Sequence, residues 1–175
     1  MVLSAGYEVN GLFEKTALES ELKVLQVNVI ATLQLSHHFS EFMAERGKGG
    51  ILSIASLSGH MPNPYFSNYA GSKAYVLNLG ASFYGELKPK VVDITVLSPG
   101  LTNTPMVADN GMDRKKTPMQ AMQPSVVAET AGKHLISVPR AKNKMMAFMS
   151  KHSFLEMQAI MNEKMILKAM NKNKI

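Results

Sequence analysis

A chain of 175 residues with 46% hydrophobic and 18% charged side chains is long enough for one domain with a proper core. It contains no run of 18 consecutive apolar residues, so no transmembrane helix is expected. Zero cysteines exclude disulfides and thiolate metal sites, and the five His lack any ligand spacing, so no metal is expected either. The formal net charge of +6 is unevenly spread: residues 133–175 carry nine Lys or Arg against Glu156 and Glu163. The excess therefore belongs to the tail, and Met is skewed too, with eleven of the fourteen lying beyond Pro105. Met1-Val-Leu-Ser-Ala-Gly6 lacks the basic start and apolar stretch of a signal peptide, and with no cysteine a cytoplasmic location is expected.

Val2-Leu3-Ser4-Ala5-Gly6 reads as a short strand ending at a glycine turn. Thr16-Ala-Leu-Glu19 has capping-box spacing, and Leu18, Leu22, Leu25, Val29 and Leu33 then recur at helical steps, predicting a long helix to about Glu45. Asn28 sits in its middle. By propensity it is unfavourable there, so it is exposed, satisfied in the core, or employed. Gly47, Gly49 and Gly50 stop the helix. Ile51-Leu-Ser-Ile-Ala55 suits a buried parallel strand, with Ser56 at the C-terminal end where open α/β sheets place their ligand crevice.

After a loop around Pro62 and Pro64, a helix is expected from near Asn68 to Leu87, ended by Pro89. Val91 to Leu97 is the clearest strand, β-branched and bounded by Ser98-Pro99-Gly100. The order strand, helix, strand, helix, strand, with long crossovers, predicts parallel pairing in an α/β fold. Residues 103–123 lack a clean period and read as a mobile, Met-rich flap. A helix is expected from Pro124 to about Ser137, a last weak strand near Met145–Met149, and a basic, largely apolar helix from Ser153 to Met170. Neither an internal repeat nor a second domain is visible, so residues 1–175 read as one domain.

The residues that carry chemistry lie between Ser56 and Lys73. Tyr69 and Lys73 are four apart and share a helix face, so both can enter one cleft. An ammonium beside a phenol favours the phenolate and is expected to lower the phenol's pKa, making Tyr69 a usable proton donor or acceptor. A Ser56 hydroxyl arriving from a strand end can hold a carbonyl oxygen. Such a site moves a proton on or off a carbonyl or alcohol oxygen. Y-x-x-x-K by itself is a weak signal, since such pairs are mostly a half-buried Tyr beside a solvated Lys.

Asn28 on the long helix, Ser56 after the next strand, Tyr69-x-x-x-Lys73 and Pro99-Gly100-x-x-x-Thr104 together resemble the short-chain dehydrogenase/reductase family, over roughly residues 2–137. Val2-Leu-Ser-Ala-Gly6 is similar to that family's N-A-G strand, with Ser4 in place of the usual Asn. The resemblance implies a Rossmann-like doubly wound parallel sheet and hydride transfer between NAD or NADP, the latter slightly favoured, and a ketone or secondary alcohol. It implies Tyr69 as acid/base, Lys73 as its partner and ribose ligand, Ser56 orienting the carbonyl, and Asn28 holding a water. Pro99, Gly100, Thr102 and Thr104 would line the nicotinamide, and Ala5 and Gly6 the ribose side.

One part of the family pattern is absent. The first βαβαβ half, with its Gly-rich pyrophosphate turn, has no counterpart in the sequence. A complete member is expected to need roughly 80 to 90 further residues upstream. The expectation is a truncated fold that alone neither binds the cofactor tightly nor turns over. A half-fold acting as an interaction or regulatory protein is the rival reading.

The Met-rich flap favours an apolar acyl or steroid-like substrate, although Met there also suits plain flap core. The family implies a homo-oligomer through helices 17–45 and 68–88. The basic tail at 151–175 either packs on the domain or a second subunit, which is favoured, or contacts a membrane surface. Nucleic acid is not expected as a partner, since Phe154 is the only Phe, Tyr or Trp past Phe148.

Overall fold

Short β-branched runs separated by long helices can pair only in parallel, and that is the arrangement found in the computed structural model, which describes residues 1–106, 120–131 and 135–170. Strands β1 (Val2–Leu3), β2 (Gly49–Ile54), β3 (Val92–Leu97) and β4 (Ile136–Ser137) form one sheet in that order, every pair parallel. The sheet is fixed by register: Ile51 lies opposite Ile94 and Ile54 opposite Leu97. The α/β class and the parallel sheet expected from the sequence are both present.

Between β1 and β2 runs one long rod made of α1 (Leu18–Leu25), a π-helical stretch over Gln26–Ile30 and α2 (Ala31–Arg46). It stops where expected, at Gly47, whose φ of 65° suits a residue without Cβ. The expected capping box does not form. The helix starts one residue later than read, with Ala17 at the cap, and the Thr16 hydroxyl lies 2.6 Å from the Glu21 carboxylate instead of meeting Glu19. With Ala17 at the cap, Thr16 stands one position too early for its oxygen to meet the third amide.

Helix α3 (Ser67–Leu87) crosses from β2 to β3 and packs on the sheet beside α2. Their contact is the main core: Leu3, Ile51, Val92 and Ile94 from the strands meet Phe39 and Met43 of α2 and Phe83 and Leu87 of α3. Further along, Ala55 and Val96 meet Val76 and Leu77. The approach is close enough that a Cβ on Gly80 would run into a Val96 methyl.

The C-terminal part departs from the expected elements. Helix α4 covers only Pro124–Ala128, and Ile136–Ser137, read as helix, is strand β4. The Leu135 and Ser137 carbonyls accept from the Val96 and Ser98 amides at 2.7 and 2.8 Å, a pairing that overrides the helical spacing. Met145–Met149, read as a weak strand, lies inside α5 (Ala141–Lys151). Unbranched Met and Lys are good helix formers. Helix α6 (Leu155–Ala169) is the expected tail helix. Most of the flap, residues 107–119, lies outside the described residues. Its two ends are zipped together, Asn103 N–H to Met122 C=O at 2.8 Å and Met122 N–H to Leu101 C=O at 2.9 Å.

Candidate active site

The carboxyl ends of β2 and β3 and the start of α3 open onto one cavity of about 710 Å³. Ser56 reaches it from the end of β2, where it caps a short 3-10 turn (Leu57–His60) and its Oγ accepts the Ser58 N–H at 3.2 Å. Tyr69 and Lys73 reach it from the first two turns of α3. The 3-10 turn presses against α3 at a single point. A Cβ on Gly59 would sit 2.7 Å from the Lys73 carbonyl carbon, so only glycine lets the turn approach this closely. That contact brings the serine and the tyrosine to the same cavity wall, where the Ser56 hydroxyl works to lower the phenol's pKa. Three residues distant in order are thereby brought to one rim.

Lys73 is only 5% exposed. Its ammonium donates to the Ile54 carbonyl at 2.9 Å and stands 5.7 Å from the centroid of the Tyr69 ring. Burial lowers its pKa to about 8, with the Glu8 carboxylate working the other way. The phenol behaves contrary to the expectation drawn from the Y-x-x-x-K spacing. Its pKa is raised to about 12, first by burial, then by the Glu8 carboxylate, and the nearby Ser56 hydroxyl only partly offsets this. Desolvation dominates, and Lys73, with its own pKa lowered to about 8, has lost its charge before the phenol titrates.

Asn28 is 1% exposed and lies behind the cavity wall. Its amide oxygen accepts the Tyr7 N–H at 2.9 Å, and its amide nitrogen lies 2.9 Å from both the Tyr7 carbonyl and the Ser72 hydroxyl. Ser72 in turn donates to the Tyr69 carbonyl at 2.7 Å. Of the three possibilities left open for this residue, the satisfied one is observed. Asn28 ties the π-helical stretch to the segment after β1 and to α3, which explains a ladder irregularity at this place.

Pro99, Gly100, Thr102 and Thr104 all line the cavity, and so does Gly6. Ala5 does not: it is exposed, and the wall passes through its neighbours Ser4 and Gly6. The Pro99 carbonyl accepts the Leu57 N–H at 2.8 Å, locking the β3 end to the turn after Ser56. A Cβ added at Gly6 would stand 3.6 Å from Lys73 Nζ and 3.9 Å from Asn28 Oδ1, so this glycine leaves the ammonium open to a ligand. Sequence reasoning missed Glu8, which lines the cavity and acts on both Tyr69 and Lys73. Its only sequence signal is an acid two positions beyond the strand-ending glycine. It also missed Tyr7, which contributes backbone alone and so leaves no side-chain pattern to read.

Ser56, Tyr69 and the buried Lys73, the residues singled out by the resemblance, thus stand at one cavity along the carboxyl edge of a parallel sheet. Comparison with known proteins agrees. The family model for short chain dehydrogenase matches residues 1–115. A 7beta-hydroxysteroid dehydrogenase from Collinsella aerofaciens is 26% identical over 141 residues, 77% of this chain and 54% of its own length. A very-long-chain 3-oxoacyl-CoA reductase from Podospora anserina is 37% identical over 93 residues, 53% of this chain and 26% of its own. Among solved structures, a 7beta-hydroxysteroid dehydrogenase superposes with a TM-score of 0.79 at 23% identity, covering 93% of this chain and 65% of that one. A short-chain dehydrogenase from Sphingobium yanoikuyae in complex with NADPH gives 0.75 at 23% identity, covering 86% and 61%. At that identity the structures establish the Rossmann-like fold.

The chain belongs to the short-chain dehydrogenase family of oxidoreductases. It spans about a quarter to just over half of the length of the two curated relatives named here.

Proposed function

We propose that this chain carries the proton-transfer half of a ketone/secondary-alcohol oxidoreductase acting on an apolar substrate with NADP or NAD. The observation that carries the reading is the convergence of Ser56, Tyr69 and the buried Lys73 on the wall of one cavity. The nicotinamide, when bound, supplies or takes the hydride at the substrate carbon. Everything else falls to the chain. In the reductive direction the Tyr69 O–H, protonated at neutral pH, gives its proton to the carbonyl oxygen. Ser56 holds that oxygen, and the Lys73 ammonium steadies the phenolate left behind. In the oxidative direction the same proton returns to Tyr69. Asn28 acts from behind, by fixing α3 and the loop after β1. Residues Pro99, Gly100, Thr102 and Thr104, with Gly6, form the nicotinamide-ribose wall.

The substrate class follows from the cavity's outer wall, where Leu101, Met106, Met146, Met165 and Ile166 offer apolar and largely adaptable surface. An acyl or steroid-like ketone suits it, the classes on which the two curated relatives act by name. Exposed Leu18, Leu22, Leu33 and Phe42 on the α1–α2 rod support a homodimer formed through that rod and α3.

These 175 residues contain no Gly-rich phosphate turn, so by themselves they hold NADPH or NADH more weakly than micromolar. Saturation-transfer NMR on the chain with NADPH tests the reading at that weak affinity. The nicotinamide and its ribose protons should receive saturation ahead of the adenine, and Lys73→Ala should remove the preference. Uniform saturation, unchanged in the variant, overturns the proposal. A micromolar titration overturns the weak-binding part alone.

A further inference from the structure

Helices α5 and α6 turn a hydrophobic surface to solvent on the side away from the sheet. On α5, Met145, Phe148 and Met149 stand at i, i+3 and i+4 and are exposed, while Asn143, Ala147 and Ser150 face inward. The corner after α5 adds Phe154, 83% exposed, and Leu155, 67% exposed. On α6 the outward stripe reads Met157, Met161, Lys164, Lys168, at i, i+4, i+7 and i+11, with Ile160 beside it. The corner is held rigid from inside. The Gln158 amide nitrogen lies 2.7 Å from the Ser150 carbonyl and 2.9 Å from both the Ser153 carbonyl and its hydroxyl. The tail helix packs on the domain as expected, through Ile166 and Met170 against Phe66, and it is its other face that is left to solvent.

Charge decides between the occupants. Over residues 140–170 six cationic side chains stand against two carboxylates, Glu156 and Glu163, which sit together on one flank of α6 away from Lys164 and Lys168. A second copy would bring the same positive face against itself, and like charges disfavour that contact. An anionic lipid surface complements it, and the apolar corner with flanking lysines is the pattern of an interfacial helix pair whose lysine stems reach back to headgroups. We infer that the α5–α6 corner docks on an anionic phospholipid membrane, with Phe148, Phe154 and Leu155 inserted and Lys164 and Lys168 at the headgroups. Among the described residues no helix is long and apolar enough to cross a membrane, so this is attachment to one leaflet.

The opposite faces of the same helices, through Met146, Met165, Ile166 and Ala169, line the cavity. Docking would set that wall against the bilayer, a supply route for an apolar ketone. This consequence rests on the substrate reading above; the docking does not.

The test is flotation of the full chain with vesicles of phosphatidylcholine alone and of phosphatidylcholine with phosphatidylserine. Binding is expected to the anionic vesicles, to fall with added salt, and to weaken at least about tenfold in Phe148→Ser/Phe154→Ser/Leu155→Ser, since each inserted side chain contributes more than a factor of ten. Lys164→Glu/Lys168→Glu should abolish the preference for anionic vesicles and leave the melting temperature in place. No binding to anionic vesicles overturns the inference, as does binding indifferent to the triple serine change. A dimer in lipid-free solution that the serine variant dissociates, without vesicle binding, assigns the face to a second copy instead. None of these readouts depends on turnover, so failure here leaves the proposed chemistry standing, and failure of the NMR test leaves the docking standing.

Discussion

The two faces of the sheet are built to different standards. Toward α2 and α3, Leu3, Ile51, Val92, Ile94 and Val96 are all buried, and helix meets strand so closely that glycine is required at residue 80. On the opposite face Val2 is exposed, Leu52 and Ile54 are half-buried, and only Leu97 is sealed, by Met122 and Val127. In β3 the sequence already marks the difference, with Asp93 and Thr95 on the open face against Val92, Ile94 and Val96 on the closed one; in β2, where Ile51 and its neighbours Leu52 and Ile54 are all apolar, coverage decides. One face is the core and the other is the inner wall of the cavity, which places the chemistry where packing stops.

Truncation on the two faces should give the largest contrast. Ile51→Ala removes buried volume from the closed face and should cost about 2–5 kcal/mol of unfolding free energy. Leu52→Ala, its neighbour in β2 pointing the other way, should cost no more than about 1 kcal/mol, since its side chain already borders open space. Urea denaturation of both variants decides it, and equal losses would erase the distinction between the faces.

Next in size is the strut behind the cavity. Asn28→Ala leaves the Tyr7 amide and carbonyl and the Ser72 hydroxyl without their partner, for an expected loss of roughly 2–3 kcal/mol. The loss should be local at first, so hydrogen exchange at the Tyr7 amide should speed up well before global unfolding does. Exchange at Tyr7 no faster than in the parent would show that the loop after β1 is held by something else.

A smaller effect separates the buried cation from its surroundings through pH. Lys73 has a folded pKa of about 8, below its ordinary 10.5, so the folded state releases a proton that the unfolded state retains. Its desolvation therefore weighs against folding below pH 8 and is relieved as pH rises from about 8 toward 10.5. Stability should climb by about 2 kcal/mol over that window and the climb should vanish in Lys73→Met. Tyr69 has the opposite sign: with a folded pKa of about 12 against 10.0 unfolded, its contribution is lost between pH 10 and 12. A Lys73→Met variant that keeps the climb would place its origin in another group.

What could be read from the sequence follows the same division. Strand β3, helix α3 and the stop at Gly47 carry their signals locally, in β-branched runs, periodic apolar positions and a left-handed cap, and the structure has them where expected. Strand β4 has two residues and exists because β3 offers it a ladder, which no local pattern encodes. The meeting of Ser56 with Tyr69 was legible as spacing plus family resemblance. The sign of the phenol's shift was not. Spacing along α3 reveals Lys73 as a neighbour, but burial and a carboxylate from the loop after β1 arise only when the chain has folded around them.

That carboxylate supports the smallest and most specific prediction. Glu8 raises the pKa of both Tyr69 and Lys73, since a negative charge favours the protonated form of each. Glu8→Gln should therefore lower both, bringing the phenol down from about 12 and taking the ammonium below about 8. Difference absorbance of the tyrosinate against a Tyr69→Phe background reads the first, and NMR of the Lys73 side chain reads the second. The two shifts must share a sign. If the phenol falls while the ammonium rises, the pair is coupled chiefly to each other and Glu8 is a bystander. If both fall, the loop after β1 sets the protonation state of the rim, so the segment that Asn28 ties to the closed-side helices also tunes the open side.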